Sequence, residues 1–547
     1  MTISSTYDHR IIQGAVSGRF LHTLEEFLEG ADGFYEAVAG SVSPAGSVGA
    51  AAAGATLAEA GTRVTSSRPQ PATATPALTS SPSATPNEVA GAVALVGAYR
   101  QFGHRAAHLD PLGSVPPGDP SLELATWGLA PDALARVPAL MLGTAVPGAT
   151  LGEVLAELQR IYCARSAFEV EHLSRHEERA WLNQAIESGA YDGRPDPGAQ
   201  RQILERLTAV EALEQFLQRA YLGQKRFSIE GLDVVVPMID AVVELAAAAG
   251  ARSVELGMAH RGRLNVMAHV VGVPYAEILV DFERSRPAAE AEESFDGLTS
   301  DVKYHRGASG VYDSASGPVQ ITLSANPSHL EAIGPIVEGR ARAEQTVRTG
   351  PAPTRDTRTG LPLLIHGDAA FAGQGVVAET FNLARLDGYT TGGTVHLIAN
   401  NQLGFTVEPA MGRSTVYASD VAKAFDVPVV HVNADDPDAC LAAVRLAVAY
   451  RGLFHADFVI DVIGYRRHGH NEEDEPAYTQ PRMYEAIAAH PTVREVYARQ
   501  LVAAGVIDEA SAKAGPGAAM AQLMHVQEAL AGQPPASDPA TVAARRS

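Results

Sequence analysis

Leu361-Pro362-Leu363-Leu364-Ile365-His366-Gly367-Asp368 is a short apolar run that stops at a glycine and an acid, with Gly373-Gln374-Gly375 and a helical stretch through Leu386 behind it. From about Arg201 onward this unit recurs. Ser253 to Leu256, Val319 to Leu323, Thr394 to Ala399, Val427 to Val432 and Phe458 to Gly464 read as further strands, and helical stretches such as Ser328 to Ala343 and Pro437 to Tyr450 follow most of them. Repeated strand-then-helix units predict an α/β fold, a doubly wound parallel sheet covered on both faces. Ligands of such sheets bind at the carboxyl ends of the strands. His260, Asn326, Asp368 and Asn401 all fall just after a predicted strand, so the pattern sets them along one rim.

The rim residues carry their own chemistry. Gly367-Asp368-Ala369 ends one strand and Asn400-Asn401-Gln402-Leu403-Gly404-Phe405 ends another. A magnesium ion takes a hard, nearly octahedral oxygen shell, often completed by phosphates. Asp368, the amide oxygen of Asn401 and the backbone carbonyl of Leu403 are candidate donors, because the chain must fold back past the ion. Glycines let backbone approach a ligand closely, and the helix that follows presents free amides to an anion. A lone Gly-Asp is a common turn. Its pairing with Asn400-Asn401 turns the reading toward a cation held against a diphosphate.

Gly257-Met258-Ala259-His260-Arg261-Gly262-Arg263 follows a strand and opens a helix. Arg261 beside a helix N-terminus suits a diphosphate oxygen, and His260 can hydrogen-bond a polar substrate or move a proton near neutrality. Tyr304-His305-Arg306-Gly307 and Ser324-Ala325-Asn326-Pro327-Ser328-His329-Leu330 are further clusters; in the second, Ser328 is placed to cap the helix beginning there, with Pro327 restricting Asn326. Arg466-Arg467-His468-Gly469-His470-Asn471-Glu472 ends the last strand. Its His-Gly-His has no third metal ligand at suitable spacing, so it reads as a polar loop beside the ligand, with His470 as a contact.

Composition narrows the function classes. A chain of 547 residues is too long for one core. The net charge of -21, from 63 acidic and 42 basic side chains, gives no basic field for a polyanionic backbone, which argues against nucleic acid. The two cysteines, Cys163 and Cys440, are too few for a disulfide framework and read as packed thiols of a reduced, cytoplasmic protein. No basic region with an apolar run opens the chain, and the apolar stretch around Val234 to Ala249 is interrupted by Pro237, Asp240 and Glu244, so it predicts a buried helix and no membrane span.

Five regions are expected. Residues 1–40 form an N-terminal arm whose Phe20, Leu21, Leu24, Phe27, Leu28, Phe34 and Tyr35 fall at helical spacing, either a docking helix for a partner or a helix packed on its own body. Residues 41–86, almost wholly Ala, Gly, Ser, Thr and Pro, predict a disordered linker. A helical domain over 87–200 follows, with an amphipathic helix from Asn87 to Phe102 and turn chemistry at Leu109-Asp110-Pro111-Leu112-Gly113. The diphosphate-binding α/β domain covers 201–530, and a disordered tail covers 531–547.

Taken together, these blocks resemble the E1 component of 2-oxoglutarate dehydrogenase, a thiamine-diphosphate-dependent family, from about Val89 to about Leu530. Gly-Asp with Asn-Asn is common to the thiamine diphosphate class; His260-Arg261-Gly262-Arg263, Tyr304-His305 and Asn326-Pro327-Ser328-His329 narrow the resemblance to the 2-oxoglutarate branch. The resemblance implies magnesium on Asp368, Asn401 and the Leu403 carbonyl. It implies a cofactor site with Arg261 on the diphosphate and with Ala369 and His470 nearby. It also places His260 and His305 as catalytic residues on the substrate side, where they recognise the distal carboxylate or assist proton transfers. The implied reaction is oxidative decarboxylation of 2-oxoglutarate in the tricarboxylic acid cycle, with the succinyl group passed to the lipoyl group of an E2 partner, and the N-terminal arm vaguely resembles an E2-docking segment.

The family pattern continues into a pyrimidine-binding domain that supplies an activating glutamate, whereas this sequence runs into an Ala, Gly and Pro rich end at Val542-Ala543-Ala544-Arg545-Arg546-Ser547. The resemblance therefore implies a homodimer or a heterotetramer with a separate pyrimidine-binding chain. A truncated or catalytically silent assembly chain, and an E1 for 2-oxoadipate, remain alternatives.

Overall fold

The strands are built from runs such as Val395-His396-Leu397-Ile398-Ala399-Asn400, buried at every position, as a parallel sheet covered on both faces demands. In the computed structural model, which describes residues 84–284 and 304–531, the strands are β1 (Ser166–Glu169), β2 (Ser253–Met258), β3 (Ala308–Ser314), β4 (Gly317–Leu323), β5 (Thr346–Val347), β6 (Thr354–Arg355), β7 (Gly360–Gly367), β8 (Val395–Asn400), β9 (Val429–Asn433) and β10 (Phe458–Ile463). Strands β5 and β6 pair only with each other. The other eight form one sheet in the order β1-β9-β10-β8-β7-β2-β4-β3. The six inner strands run parallel, while β1 and β3 close the two edges antiparallel.

All six predicted strands are present, which bears out the doubly wound α/β reading. The two edge strands are corrections. β1 lies inside the span expected to be helical, and its pairing with β9 (Ser166↔Val432 to Glu169↔Val429) makes residues 87–200 share a sheet with the α/β region. β3 owes its position to the hairpin with β4. The expectation for Ser328 is also corrected: α6 (Ile333–Glu344) begins five residues later, has Ala332 at its N-cap and receives no side-chain cap. The arm, the linker up to residue 83, the tail from 532 and residues 285–303 lie outside the described residues.

Several helices start at a side-chain cap: Thr85, Thr150, Asp196 and Asp436 each accept a backbone N–H of the first turn that follows. For α1 (Pro86–Phe102), Thr85 and Glu88 form a reciprocal capping box, and Pro86 sits in the first turn, where its missing N–H costs nothing. Downstream come α2 (Leu151–Tyr162), α3 (Pro197–Ala220) and α4 (Val235–Ala248). Then come α5 (Arg263–Val266), α7 (Asp368–Gly373) and α8 (Pro437–Phe454), the last capped by Asp436. Helix α4 is the expected buried helix, and among the described residues no helix is long and apolar enough to cross a membrane. Val254, Leu256, Leu363, Leu397 and Ile460 are fully buried; each such side chain contributes roughly 1.5–3 kcal/mol. Cys440 is buried and Cys163 half-buried, both as free thiols.

Candidate functional site

Register brings the predicted rim together. Ile365 of β7 lies opposite Met258 of β2, Gly367 opposite Ala399 of β8, and Asn400 opposite Ile463 of β10. The segments leaving β2, β7, β8 and β10 are therefore neighbours. From β2 the chain steps to β4 on one side, then crosses to β7 on the other, so the order reverses between β2 and β7. A crevice at the carboxyl ends of the strands forms at such a switch point. His260 and Arg261 stand on one side of it and Asp368 on the other.

Asp368 is the first residue of α7 and only 4% exposed. Burial pushes its carboxyl up to about 6, against the pull of Arg413, whose Nη1 lies 4.0 Å from Oδ2. Asn401 is buried beside it on the next strand's exit, and its Oδ1 accepts the N–H of Leu403 at 3.2 Å. The expected fold-back at Leu403 is present: Gln402 and Phe405 take φ of +60° and +55°, and Gly404 and Val407 exchange backbone hydrogen bonds. Ala369 backs this turn. A Cβ on Gly404 would come within 2.8 Å of the Ala369 Cβ, so only glycine lets the loop lie against the start of α7. A carboxylate at the start of α7 and an amide oxygen and a backbone turn at the neighbouring strand's exit are the kinds of donor a hard cation takes.

A paired network holds this turn from below. Asn400 Nδ2 donates to Asp461 Oδ1 (2.9 Å), Asp461 faces His431 Nδ1 (3.0 Å), His431 Nε2 faces Glu169 (3.1 Å), and Lys423 Nζ donates to Glu169 (2.8 Å). Burial works against a charged His431, but the two carboxylates outweigh it and raise its pKa to about 9. Gln402 Nε2 donates to Gly464 O and to Asp110 Oδ1 (2.9 Å), so the Leu109-to-Gly113 turn of the helical region braces the loop.

The histidines form a second pole. The His260 ring packs on Phe227 (centroids 4.1 Å) and lies 5.6 Å from His470, which in turn meets Phe405 at 5.1 Å. Burial, then Arg261, His470, His305 and Arg263, hold the His260 pKa well below its ordinary value, leaving a neutral ring that can donate and accept. Burial, Arg261 and Arg466 lower that of His470 to about 4. His305 Nδ1 contacts Asn326 O at 2.7 Å. Asn326 is 4% exposed, and neither of its side-chain polar atoms has a hydrogen-bond partner. Arg261 is fastened within the protein: it donates to Ser228 O (2.8 Å) and His470 O (2.9 Å). Gly262 completes that turn at φ +76°, where a Cβ would strike Ile229.

Sequence reasoning missed three supports. Glu472 accepts backbone N–H groups of Arg226, Phe227 and Ser228, anchoring the segment that carries Phe227 and the carbonyl gripped by Arg261. Arg466 Nη2 donates to Phe405 O and so ties the β10 exit to the β8 exit. Asp110 is the third. A buried-looking acid after a strand marks Glu472 in the sequence, while the 292-residue separation of Asp110 and Gln402 leaves no local signal.

Residues 230–536, more than half of the chain, match the family model described as dehydrogenase E1 component. The chain belongs to this family. A 2-oxoglutarate dehydrogenase E1 component of Bacillus velezensis is 47% identical over 435 residues, covering 78% of this chain and 46% of that protein. One from Bacillus cereus is 48% identical over 419 residues, covering 76% of this chain and 44% of the relative. The chain thus spans under half the length of these curated relatives. Residues 1–35, the arm expected either to dock onto a partner or to pack on its own body, match a different family model, 2-oxoacid dehydrogenases acyltransferase (catalytic domain).

Proposed function

We propose that this E1 chain carries the diphosphate-binding portion of a thiamine-diphosphate-dependent 2-oxoglutarate dehydrogenase, acting in oxidative decarboxylation of 2-oxoglutarate with succinyl transfer to a lipoyl-bearing acyltransferase. The observation that carries it is the juxtaposition of Asp368 and the Asn401-to-Phe405 turn with the His260 and His470 pole across the switch point. The names of its relatives favour 2-oxoglutarate over 2-oxoadipate, and the acyltransferase match at residues 1–35 supports an acyl-accepting partner of that class.

The residues fit the group. Asp368 is a buried acid in need of positive charge, Gly404 leaves backbone open to close approach, and Asn326 holds an unsatisfied amide beside His305. Asp368, Asn401 and the Leu403 carbonyl would hold Mg2+ against the diphosphate, with the remaining N–H groups of Arg261 turned to a phosphate oxygen. When bound, thiamine diphosphate supplies the ring that accepts electrons as carbon dioxide leaves. The protein's part is positioning and proton management: Phe227 and Phe405 shield the mouth, neutral His260 hydrogen-bonds the substrate's oxo side, and His305 with Asn326 receives its carboxylate. Calorimetry tests this. Thiamine diphosphate should bind the wild-type chain only with Mg2+ present and should give no heat with Asp368→Ala; equal binding by both would overturn the site.

A further inference from the structure

A second buried cluster lies at the opposite end of the same strands. His396 is the second residue of β8, Asp457 immediately precedes β10, and Glu338 reaches them from α6. All three are buried, and their donor atoms lie within 4.8 Å of one another. From His396 to Asn401 the chain climbs five residues, roughly 16 Å at strand rise, so this cluster is separate from the diphosphate rim.

Hydrogen-bond logic shows what the cluster lacks. Glu331 Oε2 lies 2.5 Å from His366 Nδ1, and with one proton held there the Nε2 of His366 is an acceptor. That nitrogen lies 3.1 Å from His396 Nδ1, and in that arrangement His396 carries its proton on Nδ1 and turns the Nε2 lone pair to the acids. The lone pair faces Asp457 Oδ2 at 3.5 Å, and neither atom has a hydrogen-bond partner. Thr394 serves the far sides of the acids, donating from N to Asp457 Oδ1 (2.8 Å) and from Oγ1 to Glu338 Oε1 (2.9 Å). Arg451, whose charge reaches Asp457, donates instead to the carbonyls of Gly393 and Thr357. Two carboxylates and an imidazole lone pair thus converge on a point with no donor between them.

We infer that Glu338, His396 and Asp457 form a structural site for a borderline divalent cation of the Zn2+ class. One imidazole nitrogen and two carboxylate oxygens suit such an ion, and its two charges neutralise both acids in a buried setting. The Glu331–His366–His396 chain is the outer support that fixes a metal-ligating imidazole's tautomer. In the site's function the ion ties α6 to the entrances of β8 and β10.

The test uses the full chain in an Asp368→Ala background, which removes the rim as a competing site. After incubation with Zn2+ and dialysis, elemental analysis should find one zinc per chain, and X-ray absorption should show nitrogen and oxygen neighbours only. Asp457→Asn should lose the zinc, and His366→Phe should weaken it roughly 10–100-fold. Chelation should lower the unfolding temperature of the zinc-loaded chain without any substitution, a readout that survives should the variants fail to fold. No retained zinc, or zinc with a sulfur neighbour, would overturn the proposal; burial and Asp457 raise the pKa of Glu338 to about 8, so a shared proton would then occupy the gap.

Discussion

Two sets of buried polar side chains hang on the same strands and differ in how completely they are paired. Beneath the β8 exit, Asn400, Asp461, His431, Glu169 and Lys423 form a chain in which every charge faces an opposite one at 2.8 to 3.1 Å. At the rim, Asp368 faces Arg413 at 4.0 Å, Asn326 holds two unsatisfied atoms, and His260 lies near the charges of Arg261 and Arg263. Complete pairing is what a supporting network needs, because a half-satisfied buried network is worse than none. Incomplete pairing is tolerated where a ligand finishes the set.

Breaking the paired set should cost the most stability. His431→Leu strands Glu169 and Asp461 as buried acids with one partner fewer, and removing one member of a buried ion pair costs about 3–5 kcal/mol. Urea unfolding should show that loss. A change below about 1 kcal/mol would mean that the network is not needed to hold the β8 exit.

The unpaired set should respond in the opposite way. Asp368→Ala removes a buried carboxylate that burial disfavours, so the unfolding midpoint should hold or rise. Magnesium-dependent cofactor affinity should fall by more than the roughly 10–100-fold typical of losing an outer partner. Unfolding and calorimetry on the same preparation separate the two effects. A variant that loses stability and affinity together would place Asp368 with the supporting residues.

Asp110 sharpens the comparison because it lies between the sets, touching no ligand candidate but gripping Gln402. Asp110→Ala should weaken the cofactor roughly 10–100-fold and cost about 1.5–4 kcal/mol in stability, because its carboxylate accepts from Gln402 Nε2 and from the N–H groups of Leu112 and Ser114. Asp110→Asn, which keeps an acceptor, should restore most of the affinity. Equal affinity in both variants and the wild type would remove the brace.

The supporting residues were the harder part to read from sequence. Apolar runs announced the six parallel strands, three of them closing on a glycine (Gly257, Gly367 and Gly464), because burial on both faces and close backbone approach leave local marks. Ser166-Ala167-Phe168-Glu169 is too short to stand out from its helical surroundings, and Ala308 to Ser314 is rich in small and polar residues; each is a strand because a long-range partner supplies its hydrogen bonds. Ser328 carried the right residue type for a cap, but the chain first makes a short 3-10 turn at Leu330–Ala332. Glu169, His431 and Asp461 come together only through the sheet order.

The smallest effect to look for is a change of slope with pH. The folded-state value for His431, about 9, lies above its ordinary ~6.5. Its pairing therefore stabilises the fold fully below about pH 6.5 and is lost as pH rises through about 9. Glu169 has the opposite sign: although burial opposes it, His431, His104 and Lys423 hold its carboxyl well below the usual range, so its share is present above about pH 4.3 and lost as pH falls. The network thus contributes most between about pH 4.3 and 6.5 and weakens on the alkaline side. Urea midpoints at several values between pH 6 and 9.5 should fall more steeply for the wild type than for His431→Gln, which cannot titrate there. Parallel slopes would mean that His431 is neutral in the folded protein, and the paired set would then rest on hydrogen bonds alone.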